Sequence, residues 1–586
     1  MTSRSDKVLS RDKRKYLLKS ERVWGVETHA YMPELCDQLD TGRVTRRDFV
    51  RQACLLGVST SIAYGLADAI EGARPFAPAL ASSPKPGGTL RVAMDVQEMS
   101  DPATFPWVQR SNVARFIVEH LTRTRADNIT VPYLAESWEA SDDLTQWVFK
   151  LRQGVTWSNG DRFTSQDVAH TMARWLDPEV GSSNLGLFAA LVEEYDTGRK
   201  DANGAPVLGK RGIANAVEVL DDYTIKLNLR SPTLAMAENF YNYPAAIVHR
   251  GFGKDYEADL SKHPIGTGPC ALTEFVERER AVLAKTGDWW GGAFYLDRIE
   301  YIDTGDDTSA AVEALISKQV DMVWRLPVEA VETVQRAEGL ELAPVTTAQT
   351  AVMRFRVTEQ PFDNKRLRQA VAACMDHQAI LDTAFQGNGV VAENHHVCPI
   401  HPEYAILPRL RRDIELSKRL LIQAGYPDGV TLDLAVGDTD GPWMTAACLA
   451  FKEQCAPAGI TVNVQTMPSS AYWEVWDSAP WGFTAWTHRP LGTMVLSLAY
   501  RAGVPWNECA YDNPEFDRAL DAAEAELDVD ERRKKVEVCQ TMLQEDAIIP
   551  QPFWRKVFKA HASRVNGHQT HPTLYHQFQN VWLDDV

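Results

Sequence analysis

Residues 136–177 read ESWEASDDLTQWVFKLRQGVTWSNGDRFTSQDVAHTMARWLD, and the rest of the chain is understood from this stretch. Trp147, Phe149 and Leu151 alternate with Val148, Lys150 and Arg152. Large apolar residues at period 2 predict a half-buried strand. Gly154 interrupts it, and Val155, Thr156 and Trp157 predict a second short strand. Ser158, Asn159, Gly160 and Asp161 supply a tight turn, because Asn and Gly tolerate positive φ. Thr164 is placed to cap a helix, with Asp167 closing a capping box. That helix carries Val168, Met172 and Trp175 on one face and ends before Pro178.

The series Ser137, Trp138, Asp143, Trp147, Phe149, Leu151, Arg152, Gly154, Val155, Trp157, Gly160, Asp167 and Val168 resembles the signature of solute-binding protein family 5. These are the extracytoplasmic receptors of dipeptide, oligopeptide and nickel ABC importers. A second run, Pro361 to Ala370 (PFDNKRLRQA), resembles another motif of that family. Its expected N-cap is Asp363, its buried face Leu367, Ala370, Val371 and Met375, and Arg366 and Arg368 are read as surface ion-pair partners. Further resemblances are the hairpin Val217–Leu229, the loop Ile265–Cys270, the helix Ser417–Tyr426 and the return strand Ile548–Pro552. Gly88–Ala93 is expected as the opening strand, Asn112–Leu121 and Asp306–Val320 as helices, and 198–212 as a turn-rich loop. Ile265–Cys270 is glycine-rich but lacks the Lys-Ser/Thr of a phosphate-binding loop, so it reads as a turn.

The resemblance implies an α/β chain in the two-lobe periplasmic-binding-protein fold (type II), with mixed sheets and a central ligand cleft. Lobe one is expected over 82–345 and 548–586, with an extra subdomain at about 126–240, and lobe two over 346–547. It also implies hinge closure on a peptide-like or other small organic solute, followed by delivery to permease subunits in the inner membrane. A metal of the nickel type, an opine and an oligosaccharide are the alternative solutes within the family. The working unit is read as a monomer without a cofactor.

Composition narrows the classes. With 586 residues the chain is too long for one core. The net charge of −18 argues against nucleic acid, whose phosphates would repel it. Nine cysteines are scattered without a CxxC pair, so neither a zinc ribbon nor a redox motif is indicated. Seven lie beyond residue 81, and an odd number leaves at least one unpaired within a monomer. There is no G-x-S-x-G, HExxH or dinucleotide fingerprint, which argues against an enzyme. A hydrolase whose groups meet only in space is the weaker reading.

Residues 1–81 read as a leader and export signal. Thr45-Arg46-Arg47-Asp48-Phe49-Val50-Arg51 matches the twin-arginine pattern and precedes a modest apolar run, Ala53–Ile70. Asp68 interrupts that run, so it is a poor membrane span. Ala79-Leu80-Ala81 is an A-x-A site with cleavage expected after Ala81, which places the mature protein in the periplasm.

The ligand site is expected in Trp481–Tyr500 (WGFTAWTHRPLGTMVLSLAY). Peptide-binding members of the family carry an acid just after this strand, which holds the ligand's ammonium. This chain has Trp486, Thr487, His488 and Arg489 there, and no carboxylate from Asp477 to Glu508. Arg489 suits two-pronged capture of a carboxylate or phosphate. Trp486 suits an apolar ligand body. Thr487, His488 and Arg354 complete the expected ligand contacts. His395, His396 and His401 are weak metal candidates, because Pro399 and Pro402 make their segment an extended loop whose spacing matches no closed site.

Overall fold

Strand Gln146–Leu151 buries Trp147, Phe149 and Leu151 and turns Lys150 outward, as its alternation predicts. The computed structural model that shows this describes residues 84–584 apart from 107, 127, 201–205, 306–307, 409 and 505, with short stretches among 22–70. Arg46, Arg47 and the Ala79–Ala81 site lie outside the described residues. The chain divides into two units. Lobe one holds the described residues of Ser82–Arg125, Thr130–Pro344 and Val557–Val586. Lobe two holds the described residues of Val345–Lys556 and Ala126–Ile129, and those of Met1–Ala81 group with it.

In lobe one, strands Cys270–Val276, Arg280–Lys285, Arg298–Ile302, Thr89–Ala93 and Met322–Leu326 lie side by side in that order, and the end of Phe553–Ala562 completes the sheet. The three central strands run parallel, and the flanking ones antiparallel. Leu90, Val92, Leu283, Ile299, Tyr301 and Met322 form its core. Buried Asp321 accepts Arg91 and Arg564, each at 3.0 Å, and so ties the opening strand to the C-terminal segment.

A second core belongs to the sheet Val217–Asp221, Thr224–Asn228, Gln146–Leu151 and Ala135–Ala140, antiparallel throughout. Helix Ser165–Trp175 packs Val168, Met172 and Trp175 into it, and the Asp167 carboxylate accepts the Thr164 N–H at 2.8 Å. Three expectations are corrected in lobe one. Val155–Trp157 makes only the single bridge Thr156 to Arg162. The insert expected as a loop is a hairpin of Val192–Lys200 and Pro206–Gly212. The first helix is Val108–Ala114 and stops early, because the Phe116 and Ile117 carbonyls accept Cys270 N and Gly268 N at 3.0 and 2.9 Å. A Cβ on Gly266 would stand 1.8 Å from the Ile117 oxygen, so the glycines at 266 and 268 permit this close approach.

Glu119 follows that turn and is fully buried. It accepts Tyr133 Oη at 2.6 Å, Thr267 Oγ1 at 2.8 Å, Trp289 Nε1 at 3.2 Å and Trp290 Nε1 at 2.7 Å. Burial pushes its carboxyl up to about 7 in spite of these four donors.

In lobe two, residues 350–355 of strand Leu340–Phe355 pair antiparallel with Trp481–Trp486. Val430–Val436 then lies parallel to that strand, and Ile460–Thr466 parallel to it in turn. Helices Lys365–Ala372, Ile414–Gln423, Pro514–Glu524 and Val529–Asp546 belong to this lobe. Asn364, not Asp363, caps the first of these, accepting Arg366 N and Leu367 N. Arg368 is buried and donates to the carbonyls of Phe362 and Asp546, which replaces the expected surface ion pair. Gly425 follows the end of Ile414–Gln423 with φ 94°, where a left-handed residue is needed. The return strand begins at Phe553, because Pro550 and Pro552 have no N–H for a ladder. The cysteines among the described residues are buried and free. No helix among the described residues is long and apolar enough to cross a membrane.

Candidate functional site

The register of Trp481–Trp486 on residues 350–355 sets Arg354 opposite Gly482. A Cβ at 482 would lie 2.9 Å from the Arg354 guanidinium, so the glycine leaves room for that side chain. Arg354 is fully buried. It donates to the carbonyls of Trp476 and Ala479 and, at 3.2 Å, to Glu508 Oε2. Arg354, expected at the ligand, is thus engaged inside the lobe.

Glu508 is the carboxylate that linear reading placed too far away. Its Oε2 also accepts Thr484 Oγ1 at 2.5 Å, and its Oε1 accepts Trp486 Nε1 at 2.8 Å. Folding therefore returns an acid to the strand, but with its charge already met by Arg354. Burial raises the Glu508 carboxyl, and Arg354 is the first of the groups that oppose the rise. The indole of Trp486 meets the His396 ring edge-on at 5.4 Å and Trp506 at 6.1 Å.

Beyond Trp486 the chain is held in place by two side chains and one backbone N–H from three other segments. His488 Nδ1 accepts the Ala348 N–H at 3.1 Å. Its Nε2 therefore carries the proton and donates to Asn128 Oδ1 at 3.0 Å. Asn128, at φ 67°, donates its amide to the Pro490 carbonyl at 2.6 Å. His401 Nε2 donates to the Arg489 carbonyl at 3.0 Å, while its Nδ1 accepts Cys398 N. Thr487 is exposed and accepts Arg489 Nη1 at 2.9 Å, which steadies the root of that guanidinium. Trp486, Thr487, His488 and Arg489 are thus brought together on one braced loop. Both His488 nitrogens are engaged within it.

The three histidines of 395–401 face different partners. His395 Nε2 lies 3.2 Å from Glu393 Oε2. His396 Nδ1 is 2.6 Å from the Tyr500 hydroxyl. Burial lowers His396 to about 3 and His401 to about 4, so both rings are neutral. No group of three metal-ligating side chains is found among the described residues. Sequence reading did not find Asn128 as a brace, and no local signal points to it. Glu508 was visible only as a distant acid.

The model of bacterial extracellular solute-binding proteins, family 5, matches residues 130–502. The glutathione-binding protein GsiB of Pectobacterium atrosepticum is 23% identical over 497 residues, covering 81% of this chain and 90% of the relative. The dipeptide-binding protein DppE of Bacillus subtilis is 24% identical over 518 residues, covering 83% and 91%. Among solved structures, the periplasmic binding protein AgaA in complex with agropinic acid, from A. tumefacien R10, superposes with a TM-score of 0.66 at 22% identity over 85% of this chain and 99% of that one. The architecture is accordingly the two-lobe α/β fold of periplasmic binding proteins. With a family model spanning well over half of its residues, the chain belongs to the bacterial extracellular solute-binding proteins of family 5.

Proposed function

We propose that the chain is the solute receptor of an ABC importer, exported by the twin-arginine route, and that its solute is an organic acid. An acidic peptide or an opine-like compound fits this description. The observation that carries the reading is the pairing of Glu508 with Arg354, which leaves Arg489 as the charged side chain of the loop Thr487–Pro490. Arg489 offers the planar fork that a carboxylate matches, and Thr487 steadies it. One relative is named for glutathione and a structural neighbour holds agropinic acid, so such solutes occur on this fold. Receptor function requires capture without chemistry, in keeping with the lack of catalytic motifs in the sequence. Native mass spectrometry of the protein purified from its own cells tests this. An acidic compound retained at one per chain and released unchanged is expected. A cationic or uncharged solute, or a released product of altered mass, would overturn it.

A further inference from the structure

Among the described residues, a group of buried basic side chains in lobe one forms no ion pair with an acid. Lys559 is fully buried in strand Phe553–Ala562, and its ammonium has no hydrogen-bond partner. The pairing with Met322–Leu326 slips between Val323 and Leu326, so Lys559 stands at a β-bulge. Bulges commonly re-aim a side chain beside a site. The same bulge brings in Trp324, whose buried indole N–H is also without a partner.

The C-terminal segment carries more of the group. Asn112 pins it by donating to the Leu574 carbonyl and accepting His576 N. His576 Nδ1 meets the Tyr301 hydroxyl at 2.8 Å, leaving a buried Nε2 unpartnered. His568 packs against His561 at 5.5 Å, and its buried Nδ1 is likewise unpartnered. Arg115 is stacked on Tyr575 and Tyr241, at 3.7 and 4.5 Å, and turns Nε and Nη1 inward without partners. Burial drives Lys559, His568 and His576 well below their usual ranges, Lys559 adds repulsion at the two histidines, and no carboxylate offsets the shifts.

Ordinary interiors satisfy nearly every buried donor. Unpartnered buried nitrogens on Arg115 and Lys559, with those of His568 and His576, mark a place for an acceptor from outside the chain. We propose that Arg115, Lys559, His568 and His576 form an oxyanion site in lobe one, which takes a carboxylate, phosphate or sulfate group. Arg115, whose Nη2 donates to the Tyr241 carbonyl, offers Nε and Nη1 as two separate donors, and Lys559 offers the ammonium that an anion would hold charged. This assignment rests on lobe one alone and does not depend on what Arg489 meets.

The test uses the purified protein titrated by calorimetry with sodium phosphate, sodium sulfate and disodium succinate, with sodium chloride at equal ionic strength as the control. Saturable binding of one oxyanion per chain is expected, and the preferred probe separates an inorganic anion from a carboxylate. Lys559→Met and Arg115→Met are expected to weaken that binding by at least tenfold. Should a variant fail to fold, wild-type crystals soaked in selenate are expected to show a selenium peak within hydrogen-bond distance of Lys559 Nζ. Binding of equal strength in a folded Lys559→Met protein would overturn the proposal. So would chloride-like behaviour of all three oxyanions together with an empty selenate map.

Discussion

Replacing Glu508 with Gln should leave the Arg354 guanidinium buried without its anion. Breaking a buried pair from one side costs about 3–5 kcal/mol, because the surviving charge is uncompensated. Urea denaturation of Glu508→Gln checks this, and a loss below about 1 kcal/mol would show the pair to be dispensable. The sequence marks Trp486–Arg489 as unusual because the order of residue types along a strand is local information. It does not show that Glu508 folds back onto Thr484 and Trp486, since that contact spans a helix and a loop. Nor does it show that Asn128 and the Ala348 N–H engage both nitrogens of His488. A histidine in an acid-free stretch reads as a ligand contact, whereas both nitrogens of this one brace the loop.

Glu119 acts at the scale of elements, joining Tyr133, Thr267, Trp289 and Trp290 through one carboxylate. Its folded pKa of about 7 stands above the ordinary 4.5, so between those values the folded chain holds a proton that the unfolded chain has released. Stability from this group is present at low pH and is lost as pH rises through that window, by roughly 3 kcal/mol in all. Chemical denaturation at about pH 5 and pH 8 should show the loss in the wild type and not in Glu119→Gln, which cannot titrate. An equal slope in both would assign the effect elsewhere. Elements with strong local pattern were legible, such as Gln146–Leu151 with its alternation and Ser165–Trp175 with its capping box. The helix expected over Asn112–Leu121 ends at Ala114 because carbonyls 116 and 117 are claimed by a segment about 150 residues away, which no window of sequence reveals. In the insert near Gly198 and Gly209, turn residues outweighed the strand pattern, although the two strands pair with each other.

At the scale of the whole molecule, the family motifs recur along nearly the full chain, and this made two α/β lobes legible before any coordinates. The solute was not, because its selection rests on a few side chains placed by long-range contacts. Export is the first prediction at this scale. Replacing Arg46 and Arg47 together by Lys should hold the protein in the cytoplasm, as judged by cell fractionation. A shortened protein outside the cytoplasm in that variant would reject the twin-arginine assignment. The most direct test of the central claim is calorimetry of the acidic solute recovered from the native protein, with wild type, Arg489→Ala and Arg489→Lys. The Ala variant should lose about 2–5 kcal/mol of binding, as a desolvated charge pair does. The Lys variant should also bind weakly, lacking the two-pronged geometry, and the thermal midpoints should hardly move. Undiminished affinity in Arg489→Ala would contradict the account and place the solute away from Arg489.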